Sequence, residues 1–449
     1  MPSKVRVLCL IFLLILLAGP TTAAPPTESR SSPWTLERAM QFALRHNPDI
    51  RALHERIQAA DAEIRAAQAA FFPELSLSGG YTRTNNPMYS FGNILNQGQF
   101  SDRIDFNDPG TTDSLLGTAS LQYNLYRGGR DSAALAAARA QAQAALHERT
   151  ALRLRLEFEV MRAIFTLVQA NEIIQTRQAA LEAAHASLAV GRSRYGEGIL
   201  LREDLLNLEV QKALAEEELI TARHGLLLAQ RGFLYLLGAD ADNRDIHPVP
   251  ALPAEQPLPG PGRTIDHRPE LAAIKALISA QEAVVRQARS GYLPTIDAFG
   301  RYQVDQGSEL DAGSGNSWTT GILIHYVLFN GRRTGAETDQ AEARLREAKE
   351  QRRKLQLALD LEQEQARLAL KREEARLQVS GDRLRAAEES ARLARLRFRE
   401  GLMLASELID SETRLTDARL NHTLTTTSRR IALADLRRTV GLPQSNQEQ

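Results

Sequence analysis

Two stretches of this sequence carry the same landmarks in the same order, and that duplication limits the available folds more than any other feature. His46-Asn47-Pro48-Asp49-Ile50 matches His267-Arg268-Pro269-Glu270-Leu271, and Phe71-Phe72-Pro73-Glu74-Leu75 matches Tyr292-Leu293-Pro294-Thr295-Ile296, both at an offset of 221. From Tyr123-Asn124-Leu125-Tyr126, matched by Tyr326-Val327-Leu328-Phe329, the offset becomes 203 and stays there. Tyr195 then meets Phe398, Gly198 meets Gly401, Glu209 meets Glu412 and Gly238 meets Gly441. The first copy therefore holds 18 extra residues between Pro73 and Tyr123. They fall in a stretch near 84–114, rich in Asn, Gly, Ser, Asp and Pro, that reads as a loop.

Each copy reads as helix, strand, loop, strand, very long helix, turn and return helix. The first helix starts at Pro48 or Pro269, a favoured first helical position, and stops before Pro73 or Pro294. The long helix starts near Asp131 in one copy and near Thr334 in the other, where Glu337 is spaced for a capping box. Each runs about 65 residues, or about 100 Å at the helical rise. The first helix (48–71) and the return helix (201–237) together nearly match that length, so two short helices stacked end to end should flank each long one. Val160, Leu167, Ile174, Leu181, Leu188 and Tyr195 recur every seven residues, with Ala163, Ala170, Arg177, Ala184 and Gly191 three places on. Leucine facing small residues is the pattern of close antiparallel coiled-coil packing. The return helix repeats it through Leu205, Leu219, Leu226 and Phe233, with Lys212 as the exception. The second seam (Leu370, Leu377, Leu384, Ala391, Phe398) is more charged and places Glu373 at a +3 position.

The strand segments alternate. Leu75, Leu77, Gly79 and Tyr81 interleave with Ser76, Ser78, Gly80 and Thr82, and Ala119, Leu121, Tyr123 and Leu125 with Ser120, Gln122 and Asn124. Ile296, Ala298, Gly300, Tyr302 and Val304 follow suit, as do, less cleanly, Ile322, Ile324, Tyr326 and Leu328. Period-two strands of this length suit a barrel with lipid outside and water inside, although a half-buried soluble sheet has the same pattern. Four strands cannot close a barrel, since small barrels need about eight. Open edges cannot sit in lipid, so a barrel requires several copies, and three would supply twelve strands.

The N-terminus supports export. Lys4 and Arg6 precede the apolar run Val7–Ala18, and Thr22-Ala23-Ala24 offers small residues for cleavage, the order of a secretory signal peptide. The single cysteine, Cys9, lies inside that run, so neither a disulfide nor a lipid anchor on cysteine is expected in the remainder. Past residue 24 no uncharged apolar stretch is long enough for a spanning helix, which leaves β-strands as the means of insertion. The 55 basic and 55 acidic residues balance, giving no basic excess for nucleic acid. The expected division is a signal peptide at 1–24 and a first repeat at 25–238, with strands 73–83 and 115–126 and hairpin 131–238. A proline-rich linker follows at 239–262. The second repeat takes 263–441, with strands 294–305 and 319–329 and hairpin 334–441, and a tail ends the chain at 442–449.

These motifs resemble the TolC outer-membrane efflux protein family over nearly the whole chain beyond the leader. The likeness rests on Asn47-Pro48-Asp49, Phe72-Pro73-Glu74-Leu75, Leu125-Tyr126-Arg127-Gly128-Gly129 and Leu328-Phe329-Asn330-Gly331-Arg332. It rests most on the duplicated motifs running from Arg194 to Leu205 and from Arg397 to Leu408. The resemblance implies a mainly α fold with a small membrane β-barrel: a homotrimer with a twelve-stranded barrel in outer-membrane lipid and a twelve-helix periplasmic tunnel. It implies an exit duct that serves a periplasmic adaptor (membrane fusion protein) and, through it, an inner-membrane transporter, in efflux or type I secretion. Gly198 and Gly401, with Tyr195 and Phe398, would form the adaptor-docking tip. Glu407, Asp410 and Asp204 would form acidic rings at a periplasmic gate. Two departures stand out: Glu407 replaces the usual Asp, and Met403 stands where an Arg often latches the tip.

No catalytic constellation is present. The nine histidines are scattered without an HExxH, and His185 reads as a polar residue beside the seam. Gly128-Gly129 lacks any phosphate-loop context, and Asp102, Asp105 and Asp108 lack the EF-hand pattern. The expectation is a non-enzymatic channel with no cofactor, no metal and no nucleic-acid partner. The alternative is a periplasmic coiled-coil adaptor, but that needs one hairpin and a soluble β-domain instead of two hairpins and two strand pairs.

Overall fold

A computed structural model describes residues 34–239, 265–309 and 313–444. The expected signal peptide, nearly all of the proline-rich linker and the end of the tail lie outside these residues. In chain order the elements are α1 (Leu36–His46), α2 (Pro48–Ala69), β1 (Glu74–Thr84), α3 (Pro87–Asn96), β2 (Thr112–Arg127), α4 (Arg130–Gly196) and α5 (Arg202–Leu237). The second half supplies α6 (Pro269–Arg289), β3 (Thr295–Gln306), β4 (Ser314–His325), α7 (Arg333–Arg399) and α8 (Ala405–Thr439). The two long helices have 67 residues each. Among the described residues no helix is long and apolar enough to cross a membrane.

Helix α4 packs against α2, α5, α6 and α8, and α7 packs against α6 and α8. The layer therefore runs α2/α5, α4, α6/α8, α7, the same order as the sheet, β1-β2-β3-β4. The stacking of short helices has a physical cause at each joint. In the first half Asn47 caps α2, its Oδ1 accepting from Asp49 N at 2.9 Å and Ile50 N at 3.3 Å, while its Nδ2 donates to Leu236 O at the end of α5 at 2.9 Å. One side chain thus satisfies free donors of one helix and a free acceptor of the other. Gly238 ends α5 with φ 71°, and a Cβ there would lie 2.5 Å from His46 O, so only glycine lets the ends abut. In the second half the corresponding Arg268 is 3% exposed and donates to Thr439 O at 2.9 Å. It also pairs with Glu270 at 2.7 Å and Glu362 at 3.3 Å, and Arg438 joins Glu362 and Asp435 at 2.7 Å each.

Helix α1, absent from the sequence reading, packs over the first joint. Thr35 caps it, and Leu36, Ala39, Met40 and Ala43 turn a helical stripe into a core with Trp34, Phe158, Ile164 and Phe233. The chain cannot continue α1 into α2 because the residue before Pro48 is held extended. Three further expectations are corrected. The stretch read as loop contains α3, started by Asn86 and Pro87 in the way Asn47 and Pro48 start α2. The Thr334–Glu337 capping box does not form: α7 starts one residue earlier, and Thr334 Oγ1 accepts instead from Asn330 Nδ2 at 2.8 Å. The last strand spans 314–325 instead of 319–329, because its ladder ends opposite Thr295, beyond which Pro294 has no N–H to give.

The sheet register confirms the alternation. Leu77, Ala119, Tyr302 and Trp318 align across all four strands on one face, as do Leu75, Leu121, Gly300 and Thr320. A bulge at Leu125 passes its place on that face to Tyr126, opposite Ile296. The opposite face carries the rows Ser76, Ser120, Arg301, Thr319 and Ser78, Thr118, Gln303, Ser317. Leu77 is 81% exposed and much of the apolar face lies bare, a patch too large to leave in water.

Candidate functional site: the two hairpin tips

Both long helices end in the same turn. Gly198 has φ 76° and Gly401 φ 80°, and the residue after each glycine closes back on the helix: Ile199 N to Arg194 O at 2.9 Å and Leu402 N to Arg397 O at 2.8 Å. This is the left-handed helix stop in which glycine avoids the Cβ penalty. The predicted glycines therefore lie at the extreme tips of the α4–α5 and α7–α8 hairpins.

The duplicated aromatics have different surroundings. Tyr195 is exposed, whereas Phe398 is 1% exposed, packed among Leu188, Leu200, Leu208, Ala394 and Leu408 of both hairpins. Phe398 shapes the tip by packing, and its ring is not on the surface. Arg194 covers it: the guanidinium lies 5.2 Å from the ring centroid, and Nη1 donates to Phe398 O at 3.0 Å. A cation from the first hairpin thus meets the carbonyl end of α7, so the tip has an arginine clasp even though Met403, half-buried against the same cluster, cannot supply one.

Each hairpin is also pinned by the same ion pair in both repeats. Arg192 Nη2 lies 3.2 Å from Glu209, and Arg395 binds Glu412 with two nitrogens, Nη2 at 2.6 Å. The second pair is less exposed, and its hydrogen bond to Glu412 outweighs burial to raise the Arg395 pKa further. Gly191 permits the tight α4–α5 contact, since a Cβ there would lie 2.5 Å from Leu208 Cδ1. Above the cluster the hairpins part around a cavity of about 290 Å³ lined by Arg177, Ala184, Leu208, Glu218, Leu408 and Glu412.

The three acids do not converge within one chain on a common partner. Glu407 is exposed in the first turn of α8 and accepts from Leu404 N at 3.3 Å. Asp410 is exposed one turn on, and Asp204 is half-buried in the first turn of α5. Sequence reasoning passed over Ile199, Leu201, Leu402 and Leu404, which surround the two glycines as exposed aliphatics. The signal was in the tip motifs, where apolar residues follow each glycine at a helix turn that should be polar.

The outer membrane efflux protein family matches residues 39–239 and 260–442, covering both repeats. Protein CyaE of Bordetella pertussis is 26% identical over 340 residues, spanning 72% of this chain and 67% of its own. Outer membrane protein OprJ of Pseudomonas aeruginosa is 27% identical over 432 residues, spanning 90% and 84%. The crystal structure of the outer membrane protein VceC from Vibrio cholerae superposes with a TM-score of 0.76 at 21% identity, covering 91% of this chain and 97% of that one. Two jointed repeats, an uncovered apolar sheet face and duplicated glycine tips coincide with a match across both halves: the chain belongs to the outer membrane efflux protein family.

Proposed function

We propose that three copies of this chain close their sheets into a twelve-stranded barrel in outer-membrane lipid and their helices into a periplasmic tunnel, forming the exit duct of an efflux or type I secretion system. The observation that carries this reading is the sheet. Its apolar face is bare, its edge strands β1 and β4 pair with no further strand among the described residues, and each strand adjoins a helical rod. Lipid would cover the face and neighbouring copies would pair the edges.

The tips supply the working end. Gly198, Gly401 and exposed Tyr195, with Ile199, Leu201, Leu402 and Leu404, offer an apolar surface for a periplasmic adaptor that links the duct to an inner-membrane transporter. Phe398 holds that surface from beneath. Glu407, Asp410 and Asp204, repeated three-fold, make acidic rings that attract cations and set the resistance of the closed tip. The chain contributes passage and gating, with no chemical step.

Single-channel conductance in planar bilayers tests this, with the native chain and Glu407→Ala/Asp410→Ala side by side. A small cation-selective conductance that grows in the double variant supports duct and gate together. Protein that never enters the bilayer overturns the duct; an inserted channel whose conductance is unmoved removes the two acids from the gate.

A further inference from the structure

The first-repeat connection at residues 85–111 is held against one face of the sheet, and the register says which. Asp305 pairs with Leu116 on one side and Gly315 on the other, and Ser114 lies two residues from Leu116. Side chains alternate along a strand, so Asp305, Ser114 and Gly315 share the polar face with Gln303 and Ser317. Gln97, one residue past α3, is 1% exposed; its Nε2 donates to Asp305 Oδ1 at 3.1 Å and to Asp113 O at 2.7 Å, while Ser114 Oγ donates to Asp305 Oδ1 at 3.0 Å. The connection therefore crosses the polar face.

Three glycines make that crossing possible. Gly307, Gly313 and Gly315 fall on the same parity as Asp305 and Ser317, and a Cβ on any of them would collide with the segment Asn96–Gln99. The wall is bare where the connection lies on it. Helix α3 turns Ser90 and Ile94 toward its support, with Ser90 Oγ donating to Gly110 O at 2.6 Å and Asn93 Nδ2 to Thr112 Oγ1 at 2.9 Å. Its other side presents Met88, Tyr89 and Leu95, all exposed. Phe91, Phe100 and Phe106 meet edge-on or tilted, with centroids 4.7 to 6.3 Å apart, and Phe100 and Phe106 add to the exposed apolar surface of the connection.

We propose that α3 is folded inside the barrel at its outer mouth, where three copies of Met88, Tyr89 and Leu95 surround the axis as an apolar selectivity constriction. This rests on the barrel reading above, in which the polar face is the lumen. The constriction stands at the opposite end of the duct from the acidic tips and has the opposite chemistry. An apolar ring resists hydrated ions by dewetting and passes solutes that carry apolar or aromatic surface.

Thiol accessibility in intact cells tests it, because Cys9 is the only cysteine and lies in the expected leader. Gln303→Cys places a thiol on the polar face inward of Asp305, and Tyr302→Cys places one on the apolar face. Each is exposed to a small charged maleimide and to one bearing a long polyethylene glycol chain. With the native connection, the Gln303→Cys protein should react with the small reagent and far more slowly with the large one. Two changes should narrow that gap. Thr84 pairs directly with Thr112, so an Asn-Gly turn can replace 85–111. Gln97→Glu sets a second carboxylate beside Asp305 and should undock the loop without shortening it. About tenfold faster labelling by the large reagent is expected, which corresponds to a shift of about 1.4 kcal/mol in docking.

Equal rates for the two reagents with the native connection overturn the constriction, as does an unchanged gap in both variants. If the Asn-Gly chain does not assemble, Gln97→Glu decides alone. Tyr302→Cys labelled as readily as Gln303→Cys would instead refute the barrel. In planar bilayers Met88→Lys should move the reversal potential toward anion preference; an unmoved potential removes Met88 from the lining.

Discussion

Truncating Arg268 to alanine should destabilise the second-half joint by a pH-dependent amount, whereas Asn47→Ala should destabilise the first by an amount that does not depend on pH. The Arg268 guanidinium supplies donors to the carbonyls of Arg438 and Thr439 and pairs with Glu270 and Glu362. Stripping the end of α8 of those donors costs about 1–3 kcal/mol, the range for buried acceptors left unsatisfied. Glu270 loses its cation, whereas Glu362 keeps Arg438 at 2.7 Å. Because the Glu270 side chain is 31% exposed, water screens that loss to about 1 kcal/mol or less. The total comes to about 1–4 kcal/mol, and the cap and single carbonyl lost in Asn47→Ala come to about 2–4 kcal/mol on the same scale, so pH dependence and not size separates the two joints. Burial works to raise the Glu270 pKa, but hydrogen bonds from Arg268 and from its own backbone N–H outweigh it, and the carboxyl sits below its usual range. A lowered carboxyl contributes stability that is complete above its unfolded value and disappears as pH falls through the folded one. The Arg268→Ala deficit should therefore shrink in acid and the Asn47→Ala deficit should not. Urea unfolding in detergent, followed by far-UV circular dichroism across that pH range, reads both. An Arg268→Ala deficit that ignores acid would refute the ionic account of the joint.

Leu77→Arg puts a charge on the lipid face at a cost of about 2–4 kcal/mol near mid-membrane, whereas Ser78→Arg puts it on the polar face. Membrane fractionation should show the first depleted and the second retained; equal recovery would count against the face assignment. Arg194→Met keeps the aliphatic stem over Phe398 but loses the bond to its carbonyl, so the two tips should part more readily and single-channel conductance should rise, with no change if the clasp is idle. Gly128→Ala should abolish assembly, because φ is 63° and its Cβ would lie 2.7 Å from Ser290 O. Arg332 is the one described non-glycine residue with positive φ, and Arg332→Gly should raise the thermal midpoint slightly, relieving about 1 kcal/mol of strain less the entropy glycine adds.

Long, periodic elements were the legible ones. The 67-residue helix of each repeat is specified many times over by seven-residue spacing, and the strands by alternation, with a proline just before β1 and β3. The joints could be inferred from helix lengths, but not that Asn47 and Arg268 hold them by different chemistry, since that depends on which carbonyls the other helix delivers. Helix α1 was hidden because it is short, its stripe has only Leu36, Ala39, Met40 and Ala43, and its last residue, His46, directly precedes the stronger Asn47-Pro48 start. The loop composition around residue 100 concealed α3, although Asn86-Pro87 repeats a signal read correctly at Asn47-Pro48. At the tips the glycines were plain from sequence. The unequal burial of Tyr195 and Phe398 was not, because an aromatic that closes a heptad seam looks the same whether its ring faces in or out.

The two joints bring the described segment ends to a common level of the rod. Trp34 packs on Phe233 near the end of α5, Ile265 precedes Arg268 at the second splice, and Gln444 donates to Ala434 O, whose side chain belongs to the same cluster as Trp34. Neither a strand nor a hairpin tip is interrupted there. The order of the two repeats along the polypeptide is therefore a matter of wiring: a circular permutant that begins with the second repeat and joins residue 444 to residue 34 through a short linker would leave every strand pairing and both splices intact. The waist is thus a seam at which chain connectivity can be rewritten without redrawing the duct.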